Sequence, residues 1–237
     1  MSGPTQEGFE KGLPPAQVDK ANDAEELTER QKMERGIPYQ AMKDPTLLEE
    51  RLRARRLIQK YNQYPWPEEG LDYFGPDERR KHLADLFGLS LEEFKEKSVE
   101  IEPPFYCDYG DNIVFEGAFY ANFNLTVLDC AKVTFGARIL CGPGVHIYAA
   151  THSTELDERQ AGYERAYPVT IGEDSWIGGN VVICGPCKIG KGVTIASGSF
   201  VRGDFPDYCV IGGTPAKILK KLDPPTGKFE LDMSQYK

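Results

Sequence analysis

From Phe135 the chain falls into sixes: FGARIL, CGPGVH, IYAATH, an interruption, then IGEDSW, IGGNVV, ICGPCK, IGKGVT, IASGSF and VRGDFP. The first position is apolar each time, and after the interruption it is Ile171, Ile177, Ile183, Ile189, Ile195 and Val201. The fifth is small or β-branched: Ser175, Val181, Cys187, Val193, Ser199. A strand alternates every two residues and a helix repeats near every 3.6, so neither produces a strict six. Such a period is the signature of a repeat architecture. Each six supplies one short flat strand and a corner, where Gly at the second position lets the backbone turn at little steric cost. Three sixes close a triangular coil, and its inward apolar side chains are buried only by the coils above and below. Looser sixes, FEGAFY, ANFNLT and VLDCAK, precede a two-residue offset near Val133, so the coil is expected to begin around residue 105. A sandwich of short strands would instead space its strands by about 8–12 residues.

The rest of the composition narrows the class. A hydrophobic share of 40% beside 27% charged residues allows a sizeable core. The net charge of −9 argues against general nucleic-acid binding, which needs a basic surface to neutralise phosphates. There is no signal-like run at the start and no stretch near the ~20 apolar residues that span a bilayer, so a cytoplasmic protein is expected. The cysteines Cys107, Cys130, Cys141, Cys184, Cys187 and Cys209 are dispersed and read as reduced apolar fillers. Cys184-x-x-Cys187 has no second such pair and Cys187 falls at an inward position, so no metal is expected.

Residues 1–28 are rich in Pro, Gly and acidic groups, and read as a mobile tail. Residues 29–61 give two helical pieces, the second with Asp44 as N-cap and Pro45 at its first position. Leu48, Leu52 and the Leu57/Ile58 pair mark its apolar stripe. Arg51, Arg53, Arg55 and Arg56 read as a solvated or salt-bridged face. Residues 62–100, with PWPEEG and PDERRKHLADLFGLSLEEFKEK, read as a loop and short helices on the coil, where His82 packs or faces solvent. The organisation expected is a helical cap and connecting segment over 29–104, the coil over 105–222 with an excursion over 153–168, and a tail over 223–237.

The motifs PPFYCDYG, FYANFNLTVLD, VHIYAATH, PVTIGEDSWIGGNVVI and GGTPAKILKKL, together with the sixes, resemble those of the hexapeptide-repeat acyltransferases. Within these the chain is similar to the sugar O-acetyltransferases typified by the maltose, galactoside and nodulation acetyltransferases, over roughly residues 30–222. The resemblance implies a left-handed parallel β-helix, a hand that spacing alone does not give. It also implies acetyl-CoA as acetyl donor, a sugar or oligosaccharide hydroxyl as acceptor, and a homotrimer with active sites between subunits.

Moving an acetyl group from a thioester to a hydroxyl requires removal of the hydroxyl proton, a task that suits a neutral imidazole. Of the three histidines, His152 ends a six at the lip of the excursion, and His146 ends the six before it. By its motif, ATH followed by a loop and PVxIG, the resemblance makes His152 the general base. Glu164, Glu155 or a backbone carbonyl is left to orient it. The resemblance further implies acceptor contacts from Asn122, Asp108, Asp129, Arg51 and Trp176, and an oxyanion donor in the backbone N–H of Gly179. Asp108 stands where the galactoside type has serine, and Cys130 replaces that type's second aspartate, so acceptor specificity is expected to differ. For coenzyme A the resemblance implies Ser197 against the pantetheine arm, and Lys217 and Lys220 near the phosphates. Arg202-Gly203 replaces the usual Thr-Lys pair, moving the cation by one residue.

Two rival classes fit the sequence less well. A β-helical metalloenzyme resembling the γ-carbonic anhydrases needs a three-histidine zinc site, and His82, His146 and His152 lack its spacing. A non-catalytic scaffold would have no use for the histidine, the loop and the terminal lysines. Within the acyltransferases, an amine or xenobiotic acceptor is the alternative.

Overall fold

A computed structural model describes residues 27–227. The tail read over 1–28 lies outside these, apart from Leu27 and Thr28, as do the last ten residues of the segment 223–237. Helix α1 (Glu29–Glu34) is capped by Thr28 and Gln31 in a reciprocal pair, each side chain bonding the other's backbone. Helix α2 (Pro45–Asn62) starts as expected, with the Asp44 carboxylate accepting from Thr46 N at 2.8 Å and Leu47 N at 3.3 Å. Its buried stripe is Leu47, Ala54, Ile58 and Tyr61, whereas Leu52 is exposed. Ile58 is buried and Leu57 packs against the core as the stripe predicts, while Leu47, Ala54 and Tyr61 complete the buried face in place of Leu52. Helices α3 (Asp77–Leu86) and α4 (Leu91–Glu96) follow, and His82 packs its ring against Tyr64.

Beyond them the chain winds into a parallel β-helix with three faces. The first face stacks six coils, Val99–Ile101, Phe119–Ala121, Ile139–Cys141, Trp176–Ile177, Thr194–Ile195 and Cys209–Gly213. The final strand, Ala216–Lys221, turns back antiparallel to the last of these. The second face stacks Phe105–Cys107, Leu125–Leu128, His146–Tyr148 and the first half of Val182–Ile189; the third stacks Ile113–Phe115, Val133–Phe135, Val169–Ile171 and its second half. Strand Phe200–Phe205 adds one more layer to both. The coil thus begins at Val99, earlier than the expected 105, because the strand VEI pairs with Phe119–Ala121 although it precedes any recognisable six.

The register explains the offset in the repeat. Ile171 pairs with Ile189, and Ile177 with Ile195, so a late coil is three sixes. The early coils are two residues longer, as Phe119 pairs with Ile139. Those extra residues fall at one place, the edge between the second and third faces, where Asp108–Asn112 and Asp129–Lys132 make the turns. In the third coil the same edge opens into the excursion, and Ile147 pairs with Ile183 across it.

Ile171, Ile177, Ile183, Ile189, Ile195 and Val201 are all sealed inside the prism. Each such side chain removed from water is worth roughly 1.5–3 kcal/mol. The small fifth positions are buried as well, and the two serines satisfy corner groups: Ser175 Oγ accepts from Val193 N at 3.2 Å, and Ser199 Oγ from Gly213 N at 3.1 Å. Helix α2 closes the open end of the second face. The Asn62 side chain donates to Phe105 O and accepts from Phe105 N, both at 2.9 Å, standing in for a missing strand.

Candidate active site

The edge between the second and third faces carries Asp108, Asp129 and His152 in three successive coils. Asp129 is fully buried, and its carboxylate accepts three backbone N–H bonds from the corner below: Asp108 at 2.9 Å, Tyr109 at 3.0 Å and Gly110 at 2.7 Å. Gly110 fits this cradle because it sits at φ +90°, and a Cβ there would come within 2.6 Å of Leu86. Burial pushes the Asp129 carboxyl up to about 6, against the lowering pull of those three donors. Asp129 thus builds the corner, and its fully buried carboxylate presents no exposed oxygen at the position where an acceptor contact is expected.

Asp108 faces the cap. Its Oδ1 meets Arg51 at 3.1 Å and Arg55 at 2.9 Å, and its Oδ2 accepts from the Cys130 thiol at 3.5 Å. Arg51 lies above the Tyr109 ring, 5.6 Å from its centroid. Burial lowers and the Asp108 carboxylate raises the Arg51 guanidinium, and the net is upward. Arg55, read from the sequence only as part of a solvated or salt-bridged face, follows Arg51 by four residues and so shares its helical face.

His152 is exposed at the start of the excursion. The excursion is an ordered arm: Ala150–Thr151 pairs antiparallel with Arg165–Ala166, helix α5 (Leu156–Gln160) crosses between them, and Arg165 clasps Glu158 at 2.7 and 2.8 Å. His152 Nδ1 lies 3.3 Å from the carbonyl oxygen of Tyr163. A carbonyl only accepts, so this contact holds the proton on Nδ1 and leaves the Nε2 lone pair outward. Of the three candidates for orienting the ring, the backbone carbonyl makes the bond. Glu164 accepts from the Tyr39 hydroxyl at 3.3 Å, while Glu155 takes the N-cap position of α5 without a side-chain bond there. Tyr39, fully buried, also exchanges backbone bonds with Glu164 at 3.0 and 2.8 Å, and Gln40 reaches Ala161 O at 2.6 Å. The cap thereby grips the return arm of the loop beside the residue that holds the histidine.

The remaining expected residues lie elsewhere. Asn122, Gly179 and Ser197 stack along the edge between the first and second faces. Asn122 Oδ1 caps its own turn, accepting from Phe123 N at 2.8 Å. Gly178 and Ser197 approach so closely that a Cβ on the glycine would lie 2.7 Å from Ser197 N. Trp176 stands on the first face between Leu140 and Thr194, and both it (53%) and Leu140 (52%) are half exposed. Lys217 and Lys220 are exposed on the final strand beside the same face. Arg202 follows Val201 off the second face, on the histidine's edge. The candidate residues of one chain therefore fall into two groups with the second face between them. Among the described residues no group of His, Cys, Asp and Glu could hold a metal ion, and no helix is long and apolar enough to cross a membrane.

Comparisons with known proteins fit this arrangement. Residues 32–89 match the maltose acetyltransferase hexapeptide capping motif, and residues 168–203 match the bacterial transferase hexapeptide of six repeats. A putative acetyltransferase of Saccharomyces cerevisiae is 40% identical over 187 residues, covering 79% of this chain and 89% of its own length. The crystal structure of a maltose O-acetyltransferase from Clostridium difficile 630 superposes with a TM-score of 0.74 at 35% identity, over 84% of this chain and 99% of that one. A galactoside acetyltransferase in complex with coenzyme A gives 0.70 at 30% identity, over 83% and 92%. The chain belongs to the hexapeptide-repeat sugar O-acetyltransferase family, and it is an acetyltransferase with that family's helical cap.

Proposed function

We propose that the chain transfers an acetyl group from acetyl-CoA to a hydroxyl of a sugar or oligosaccharide, with His152 as general base. The observation that carries this reading is the bond between His152 Nδ1 and the Tyr163 carbonyl, which reserves Nε2 for a proton. Nε2 takes the acceptor's hydroxyl proton as its oxygen attacks the thioester carbon. The Gly179 N–H receives the charge that develops on the thioester oxygen. Collapse expels the coenzyme thiolate, to which the imidazolium returns the proton. Asp108, held between Arg51 and Arg55 under the cap, is the acceptor-side carboxylate on the histidine's edge, with Asn122 and Trp176 opposite. Ser197, Arg202, Lys217 and Lys220 line the coenzyme.

The two groups of candidate residues support a homotrimer in which the histidine edge of one subunit meets the tryptophan face of the next. The exposed Leu140 and Trp176 give that contact an apolar centre. Acetyl-CoA-dependent thiol release, screened against sugars, glycosides and amino compounds, tests the reading. His152→Ala should lower turnover about 10²–10⁴-fold with the best acceptor. Near wild-type turnover in that variant rejects the base, and preference for an amine rejects the acceptor class.

A further inference from the structure

The segment Tyr64–Phe74, YPWPEEGLDYF, has no part in the transfer proposed above, yet it is built with care. Beneath it lies Arg79 of α3, 1% exposed, whose Nε and Nη1 have no hydrogen-bond partner. Its guanidinium sits instead over the rings of Tyr61, at 5.0 Å, and Trp66, at 4.5 Å. The cation fixes one face of the indole while the residue stays 50% exposed. Tyr73 stands beside it at 5.4 Å between centroids and 40° between planes, and is 54% exposed. The result is a pair of half-exposed, tilted rings braced from within.

A line of polar contacts runs from these rings to a residue of the proposed acceptor site. The Tyr73 hydroxyl donates to Glu102 at 2.8 Å, the Tyr120 hydroxyl donates to the other oxygen of Glu102 at 2.5 Å, and Asn122 Nδ2 donates to the Tyr120 hydroxyl at 3.4 Å. Tyr120 also borders a recess of about 340 Å³ on the first face with Ala118, Arg138 and Leu140.

We propose that Trp66 and Tyr73 form a second sugar subsite, which takes a further ring of a neutral oligosaccharide acceptor while the reacting ring lies near Asn122. This rests on the sugar O-acetyltransferase reading. A pyranose has an apolar face of C–H groups and a rim of hydroxyls. Exposed aromatic surface accepts the first, and the phenol oxygens of Tyr73 and Tyr120, whose protons the buried Glu102 holds, accept hydrogen bonds from the second. Two rings are too small for a protein partner, which needs about 800 Å² on each side, and they match the width of one sugar. Glu68, Glu69 and Glu102 on and beside the segment make it repel a carboxylated sugar.

The test compares mono- and trisaccharides of the gluco, galacto and N-acetylglucosamine series as acceptors for the full chain. In Trp66→Ala the ratio of kcat/KM for the trisaccharide to that for the monosaccharide should fall about tenfold, chiefly through KM. An unchanged ratio overturns the subsite. A direct measurement guards against a variant that folds poorly. The chain has two tryptophans, so Trp176→Phe leaves Trp66 as the sole emitter. Its emission should change saturably with a neutral trisaccharide and little with trigalacturonate. A flat response to the neutral sugars, or equal response to the acid, overturns the proposal. Failure of every sugar to support thiol release would instead reject the acetyltransferase acceptor class, and the emission titration would still decide the subsite.

Discussion

Replacing Asp129 by Asn separates two roles for one residue. The wild-type carboxylate accepts three N–H bonds in a fully buried corner, two on Oδ1 and one, from Gly110 at 2.7 Å, on Oδ2. Asparagine keeps one carbonyl oxygen and turns an NH₂ toward the Gly110 donor. An orphaned buried N–H costs about 1–3 kcal/mol, and weakening two charge-assisted bonds to neutral ones costs about 1 kcal/mol more. Relief of a buried charge offsets part of this, so the expected loss at pH 7 is about 1–3 kcal/mol, read by chemical denaturation. The pH dependence gives an independent check. Burial raises the carboxyl to about 6, above its ordinary value near 3.9, so this group's contribution is greatest below about pH 4 and declines as pH rises to about 6. Asparagine lacks that dependence, and the gap between wild type and variant should widen as pH falls from 7 to 4. A variant within about 0.5 kcal/mol of wild type, with a raised KM for the acceptor, would refute the corner role and return Asp129 to substrate binding.

Asp108→Ala should cost more than Arg55→Ala. The first leaves two guanidiniums and a thiol facing a buried gap, worth about 3–5 kcal/mol, while the second removes a half-exposed partner worth about 1 kcal/mol or less; denaturation midpoints compare them. Ile183→Ala opens a cavity between two coils and should lower stability by about 2–5 kcal/mol, measured the same way. Leu140→Asp places a charge at the centre of the exposed apolar row, and light scattering should then find the 26.5 kDa chain alone where the native protein shows three times that mass. A native protein of single-chain mass would reject the trimer.

Much of the coil was written in the sequence because its contacts are local and periodic. A residue six places on meets an equivalent corner, so Ile171 to Val201 declare their burial without any knowledge of neighbours. The two-residue offset near Val133 was visible too, but its meaning was not. Only the stacked register shows that the added residues gather at one edge and that Asp108, Asp129 and His152 share it. The strand at Val99–Ile101 was hidden because its partner, not its own composition, makes it part of the coil. Which of the three candidates bonds His152 was beyond reach for another reason: a main-chain carbonyl has no letter in the sequence. Tyr39 was likewise silent, since its backbone grips Glu164 across a separation of 125 residues.

The proposed division of the site between two parts of one prism has a genetic reading. If a histidine edge always works against a neighbour's tryptophan face, a chain defective at His152 still offers a sound Trp176 face, and a chain defective at Trp176 still offers a sound His152 edge. Refolded together, two inactive variants would form mixed rings in which some junctions join the intact halves. Activity would then be a property of the junction between subunits, inherited from neither parent chain alone.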